Sequence, residues 1–291
     1  MTTLYLYYYV KKWVNNASIN TFKHDKQDFP PMSGSEYMKN VKEKRPLVHH
    51  ITNYVTVNDC ANVSICAGGS PVMSDSAKDV VDIARIASAV VLNMGTLNKR
   101  TVDSMILTGK IANENGIPVI FDPVGVGASN YRNEAAAQIL SDVKVDVIKG
   151  NAGEIGVLSG IGGEVRGVDS VSSNNEKLAT ETLAKKYGCV VAMTGETDYV
   201  SDGERTLTLR NGHVLMECVS GTGCMVSSVV GCYIGANGVS VDSVAAAISA
   251  FSIAGELAAP ESKGPGSFKV NLLDSLFNLT CEQFDSMRKV E

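Results

Sequence analysis

Residues 117–123 read Ile-Pro-Val-Ile-Phe-Asp-Pro, "IPVIFDP", and run on into Val124-Gly-Val-Gly127. The stretch is short, apolar and bounded by proline and a glycine loop, the pattern of a strand buried on both faces. Three further runs share it: "ASAVVLNMG" near 87–95, "VDVIKGN" near 145–151 and "GCVVAMTG" near 188–195. Between them the apolar period lengthens to that of helices, over about 53–67, 77–86, 97–115, 133–142 and 174–187. Strands alternating with helices predict an α/β fold: a mostly parallel central sheet, helices on both faces and right-handed crossovers.

Beyond residue 195 the pattern changes. "DYVSDGERTLTLRNGHVLMEC" (198–218) predicts a meander of strand, turn, strand, turn, strand, with Asn211-Gly212 as a hairpin signal. It leads into "SGTGCMVSSVVGCYIGA" and "VDSVAAAISAFSIAGELAA", two helices dense in Ala, Ser and Gly, and a last amphipathic stretch spans about 267–288. No internal repeat or long linker divides the chain, so residues 41–291 are expected to form one domain. Residues 1–40 are expected to be a poorly ordered N-terminal extension. Its tyrosine-rich start lacks the basic flank and cleavage site of a secretory signal, and the polar face of an amphipathic anchor.

The formal net charge of −5 leaves no basic excess for phosphate backbones, which argues against nucleic acid as a partner. No apolar run is expected to approach the roughly 20 residues that span a bilayer, so no membrane role is expected. Seven scattered cysteines show neither a Cys-x-x-Cys pair nor zinc-ligand spacing, which suits a reducing cytoplasm.

Chemistry is suggested in several places. Glycine at a helix start lets backbone N–H groups approach a ligand, and the helix dipole favours an anion there. Gly221-Thr222-Gly223-Cys224 has that form, and a cysteine in the first turn is expected to have a lowered thiol pKa. The same four residues also read as a tight turn followed by a small packing cysteine. Asp122, at the carboxyl end of its strand, is placed to face a metal–phosphate, although Asp-Pro is also a common turn initiator. Asn151 and Glu154 form a capping-box pattern, and Glu154 could in addition hold Mg²⁺ directly or through water. His49 and His50 alternate sides on a strand, so they cannot share one metal. Asn53 either caps the following helix or bonds a polar ligand, while Met73 is either core or the wall of an apolar pocket. "GVGASN" lacks the third glycine of a dinucleotide fingerprint, "GIGGEVRG" (160–167) follows no strand, and no Gly-x4-Gly-Lys-Ser/Thr run is present.

Taken together, "PLVHHITNYVTVNDCAN", "GGSPVMS", "LNMGTLN", "PVIFDPVGVGAS", "VIKGNAGEI", "GVDS" (167–170), "VVAMTGETDYVSDG" and "SGTGCM" resemble the hydroxyethylthiazole kinase family, from about Pro46 onward. The resemblance implies a ribokinase-like three-layer fold and transfer of the ATP γ-phosphoryl group to the primary hydroxyl of 4-methyl-5-(2-hydroxyethyl)thiazole, in thiamin salvage. It implies Cys224 at the place where most relatives in the superfamily carry a basic aspartate, with Gly221, Thr222 and Gly223 as the anion hole. Met73, Gly221 and Asn53 would line the thiazole site, Lys149 and Thr194 would contact ATP, and Asp122 and Glu154 would organise Mg²⁺. Lys149 departs from the family's usual arginine and loses its bidentate fork. The resemblance also implies a homotrimer with active sites between subunits. The alternatives are a related kinase of hydroxymethylpyrimidine or pyridoxal type, or a nucleotide-binding sensor with little turnover.

Overall fold

The computed structural model describes residues 33–161 and 173–291. The extension over residues 1–32, most of the 160–167 loop and the motif at 167–170 lie outside the described residues. The strands are β1 (Leu47–Ile51), β2 (Ser70–Met73), β3 (Ala89–Asn93), β4 (Val119–Asp122), β5 (Val147–Asn151), β6 (Val190–Thr194), β7 (Asp198–Ser201) and β8 (Thr206–Leu209). They form one eight-stranded sheet in the order β2-β1-β3-β4-β5-β6-β7-β8. The neighbours from β2 to β6 pair in parallel, and β7 and β8 are antiparallel. The helices are α1 (Gly34–Lys44), α2 (Val57–Ala67), α3 (Val80–Ile86), α4 (Lys99–Glu114), α5 (Asn130–Asp142), α6 (Ala152–Ser159), α7 (Ser173–Tyr187), α8 (Thr222–Asn237), α9 (Val241–Ala258), α10 (Pro265–Asn278) and α11 (Cys281–Met287).

Alternation along the strands divides the core in two. Val48, Val91, Ile120, Val147 and Ala192 point to one face and pack with α1, α2 and α8–α11. Leu92, Phe121, Ile148 and Val191 point to the other and pack with α3–α7. The runs read as two-sided strands are therefore buried strands between helical layers. Helix α8 lies directly on the sheet because its glycines allow it: a Cβ at Gly231 would sit 2.9 Å from Val48 and 3.0 Å from Val91.

The structure corrects the sequence reading in three places. Helix α1 begins within the supposed extension, and its Met38 and Val41 are buried, so the boundary at residue 40 cuts a packed helix. The third meander strand does not form; Val214–Met216 is a turn of 3-10 helix. Asn211 is no hairpin tip either. Its amide donates to Glu256 of α9 and to the Met287 carbonyl and accepts from Lys289 N–H, so the C-terminal segment meets the sheet edge at Leu209↔Val290. The amphipathic stretch at 267–288 forms two helices, α10 and α11. Finally, α9 is long and apolar enough by composition to cross a membrane, with 83% of that window buried in the fold. Its all-round apolar surface is that of a central core helix.

Replacing Gly231 by valine forces branched carbons against Val48 and Val91. We expect a stability loss of about 1–3 kcal/mol, read as a lowered thermal midpoint. An unchanged midpoint would contradict the close packing of α8 on the sheet.

Candidate active site

Register builds the site. His50 lies opposite Val91, and Asn93 opposite Asp122. Lys149 follows Ile148, the partner of Phe121, and itself pairs with Ala192. Strand alternation therefore turns Asn93, Asp122 and Lys149 to the same face, in a row at the carboxyl ends of β3, β4 and β5. The N-terminus of α8 lies over this row.

All three polar side chains are buried, Asp122 being only 1% exposed. Asp122 Oδ2 accepts hydrogen bonds from Asn93 Nδ2 (2.8 Å) and from the Ser227 hydroxyl of α8 (2.7 Å). Burial raises its pKa, while the Lys149 charge, Ser227 and Asn93 pull in the opposite direction. Lys149 Nζ donates to the Gly223 carbonyl at 3.0 Å, which places an ammonium directly under the first turn of α8.

That turn starts at Gly221, whose φ of 89° is left-handed. A Cβ there would come within 2.3 Å of Thr56 Cγ2, so space and conformation both demand glycine. No side chain caps α8, which leaves its first N–H groups available to a ligand. The Thr222 hydroxyl instead donates backward to the Met216 carbonyl (3.0 Å), so Thr222 offers the mouth its amide rather than its side chain.

Cys224 Sγ accepts from two side-chain amides, Asn93 Nδ2 at 3.2 Å and Asn53 Nδ2 at 3.4 Å. Its thiol pKa is raised, by burial first and then by the Asp122 charge, against opposing effects of Lys149, Asn93 and Thr56. This corrects the expectation of a lowered value. The sequence shows the helix start but not the desolvation and the neighbouring carboxylate, which outweigh it.

Asn53 does not cap α2 as its N-cap; Thr56 holds that position, and Asn53 Oδ1 accepts from Thr56 N–H (3.1 Å). Asn53 and Met73 line one cavity of about 500 Å³, together with Tyr54, Val57 and Leu97. His50 reaches the same wall as a neutral imidazole, its pKa pushed down to about 4 by burial, and donates from Nδ1 to the Val48 carbonyl. His49 points the other way and bonds the Ser74 carbonyl, as strand alternation requires. Gly221, Thr222 and Gly223 stand outside this cavity's lining.

Glu154 completes the capping box of α6: Oε2 accepts from Asn151 N–H (2.9 Å) and Oε1 from Gly125 N–H (2.7 Å). Its pKa is raised by burial and then by the Asp122 charge. Two buried acids that repel each other suit a divalent cation. Among the described residues no group of three or more His, Cys, Asp or Glu side chains could hold a metal. The pair therefore fits an ion that keeps waters and takes its remaining ligands from substrate phosphates, as Mg²⁺ does. With both Glu154 oxygens already engaged by amides, a role through water fits better than direct ligation. Thr194 ends β6 opposite Asn151, its hydroxyl 3.5 Å from the Gly150 carbonyl.

Sequence reasoning missed Asn93, Ser227, Arg132 and Asp198. Arg132, at the start of α5, donates to the carbonyls of Met94 (2.9 Å), Gly95 (2.6 Å) and Val124 (2.5 Å), clamping the loops after β3 and β4. Only its place shortly after the glycine loop could have flagged it.

A profile of the hydroxyethylthiazole kinase family matches residues 38–282. A hydroxyethylthiazole kinase from Methanocella arvoryzae is 51% identical over 251 residues, covering 86% of this chain and 94% of that protein. One from Methanosarcina mazei is 48% identical over 256 residues, covering 87% and 98%. The solved structure of hydroxyethylthiazole kinase from Pyrococcus horikoshii superposes with a TM-score of 0.82 at 41% identity, covering 88% of this chain and 97% of that one. A ribokinase-like superfamily protein from Enterococcus faecalis, at 12% identity and a TM-score of 0.58, covers 86% of this chain and 90% of its own and shares the fold.

Asp198 generates a pH prediction. It accepts from Gly195 N–H (3.0 Å), and burial carries its pKa from 3.8 up to about 7. Between those values the folded chain binds more protons than the unfolded one. Stability therefore falls as pH rises through the window, by at most about 1.4 kcal/mol per pH unit from this group. Asp198→Asn keeps an acceptor for Gly195 and removes the charge. We expect it to raise the thermal midpoint at pH 8 and to give no gain at pH 4; equal gains at both would contradict the account.

Proposed function

The chain belongs to the hydroxyethylthiazole kinase family, and we infer from that membership and from the buried polar row under α8 that it transfers the γ-phosphoryl group of ATP to the primary hydroxyl of 4-methyl-5-(2-hydroxyethyl)thiazole. The observation that carries the mechanism is the convergence of Cys224, Asp122 and Lys149 beneath an uncapped helix start.

In this reading the thiazole occupies the cavity of Met73 and Asn53, Gly221 contacts it from beyond that cavity's own lining, and the hydroxyethyl arm is directed toward Cys224. The N–H groups of Thr222, Gly223 and Cys224 stabilise negative charge on the transferring group, with the Lys149 ammonium behind them. Thr194, at the end of β6, and Lys149 are the proposed ATP contacts. Asp122 and Glu154 would hold Mg²⁺, Glu154 through water, and the ion would supply positive charge that offsets that of the phosphates.

Cys224 is the proposed base. Its sulfur accepts the hydroxyl proton as the oxygen forms its bond to phosphorus and the bond to ADP breaks. The step needs the thiolate, which burial and the Asp122 charge disfavour and which Lys149, Asn93 and Thr56 favour; a loose transition state lets the alcohol's proton leave late.

We also propose a homotrimer with sites between subunits. Tyr54 and Val55, 79% and 60% exposed beside Asn53, are apolar surface that a neighbouring subunit would cover. The cytoplasm is the proposed location, since the cysteines described are all unpaired.

The test is ADP release with Mg²⁺ and ATP against thiazole alcohol, hydroxymethylpyrimidine and pyridoxal. Turnover should be confined largely to the thiazole; robust turnover of another alcohol alone would overturn the substrate assignment. Cys224→Ala should lower kcat by about 100-fold or more with little change in KM, and Cys224→Asp should retain substantial activity. An unchanged rate in the alanine variant would leave Cys224 as packing only.

A further inference from the structure

We propose that Asn93 is the positioning residue of Cys224, holding its sulfur as a hydrogen-bond acceptor through the side-chain amide that also holds Asp122. The proposal rests on the reading of Cys224 as the base.

Asn93 is buried, and its four hydrogen bonds account for the whole amide. Oδ1 accepts from Gly95 N–H at 3.0 Å and from Asn53 Nδ2 at 2.9 Å. A backbone N–H can only donate, so Gly95 fixes which end of the amide is oxygen. Nδ2 must then face the other way, and its two protons go to Asp122 Oδ2 and Cys224 Sγ, at 2.8 and 3.2 Å. Asn53 is oriented by the same logic, its Oδ1 taking Thr56 N–H and its Nδ2 reaching Asn93 Oδ1 and the sulfur.

The sulfur therefore faces donors from both asparagines. Such a shell favours the form of the side chain that carries more negative charge, the form that takes a proton from an alcohol. It also fixes where the sulfur sits, which matters because misplacing a reacting group by about 1 Å can cost 100-fold in rate. Asp122 depends on Asn93 less, since Ser227 still donates to it and the Lys149 charge still acts on it. Cys224 would keep the longer contact from Asn53 and the weaker effect of Thr56. Loss of Asn93 is thus expected to act chiefly through the sulfur.

The test is a double-mutant cycle of Asn93→Leu with Cys224→Ala, reading kcat and the KM values for thiazole alcohol and ATP. Asn93→Leu alone should lower kcat by about 100-fold with each KM within about 3-fold. In the Cys224→Ala background it should lower kcat by less than about 3-fold more. Equal losses in both backgrounds, or a loss confined to KM, would overturn the positioning role while leaving the base assignment standing. A silent Cys224→Ala would overturn the base assignment, and with it this one. Folding is followed by circular dichroism, and Asn93→Ser carries the same cycle if the leucine variant does not fold.

Discussion

Asp122 is a carboxylate with 1% of its surface exposed, and a charge so placed has to be compensated from several sides. Asn93 from β3, Ser227 from α8 and the Lys149 charge from β5 provide the compensation. Three strands and one helix are thereby tied to a single atom group at the carboxyl end of the sheet. That is where open α/β sheets bind ligands, and here the sheet register and the buried charge select the same place.

The same constraint explains why α8 starts as it does. Many helices in this chain are capped by a side chain, for instance α4 by Asn98, α5 by Ser129, α6 by Asn151 and α9 by Ser240. α8 begins on a left-handed glycine without such a cap, over a buried ammonium. Its free amides and the positive charge beneath them favour an anion, whereas the amides at the four capped starts are satisfied internally. Glu154 belongs to both patterns: it caps α6 and, through repulsion with Asp122, keeps an unmet demand for positive charge.

Much of this was legible in the sequence because it is local. Buried strands announce themselves as Val- and Ile-rich runs ending in Gly, Pro or Asn, and the Asn151–Glu154 box needs only neighbouring residues. Asn93 was not legible. In "VLNMG" an asparagine at a strand end reads as turn chemistry, and only the pairing of β1, β3 and β4 puts it among Asn53, Asp122 and Cys224. Asn211-Gly212 misled for a related reason: a hairpin signal gave way to long-range bonds with α9 and the C-terminal segment. The direction of the Cys224 pKa failed because helix position is visible in sequence while burial beside a carboxylate is not. Charge at this site is a property of packing, and packing here is assembled from residues far apart in the chain.

The central claim is that the sulfur of Cys224, held by two asparagines beside an acid-bearing sheet edge, meets the alcohol to be phosphorylated. The most direct measurement is a crystal structure with thiazole alcohol, Mg²⁺ and a non-hydrolysable ATP analogue bound. The account predicts the ring against Met73, the hydroxyl oxygen within hydrogen-bond reach of Cys224 Sγ, and the γ-phosphoryl group at the amides of Thr222–Cys224. A hydroxyl held by Asp122, with the sulfur out of contact, would contradict it.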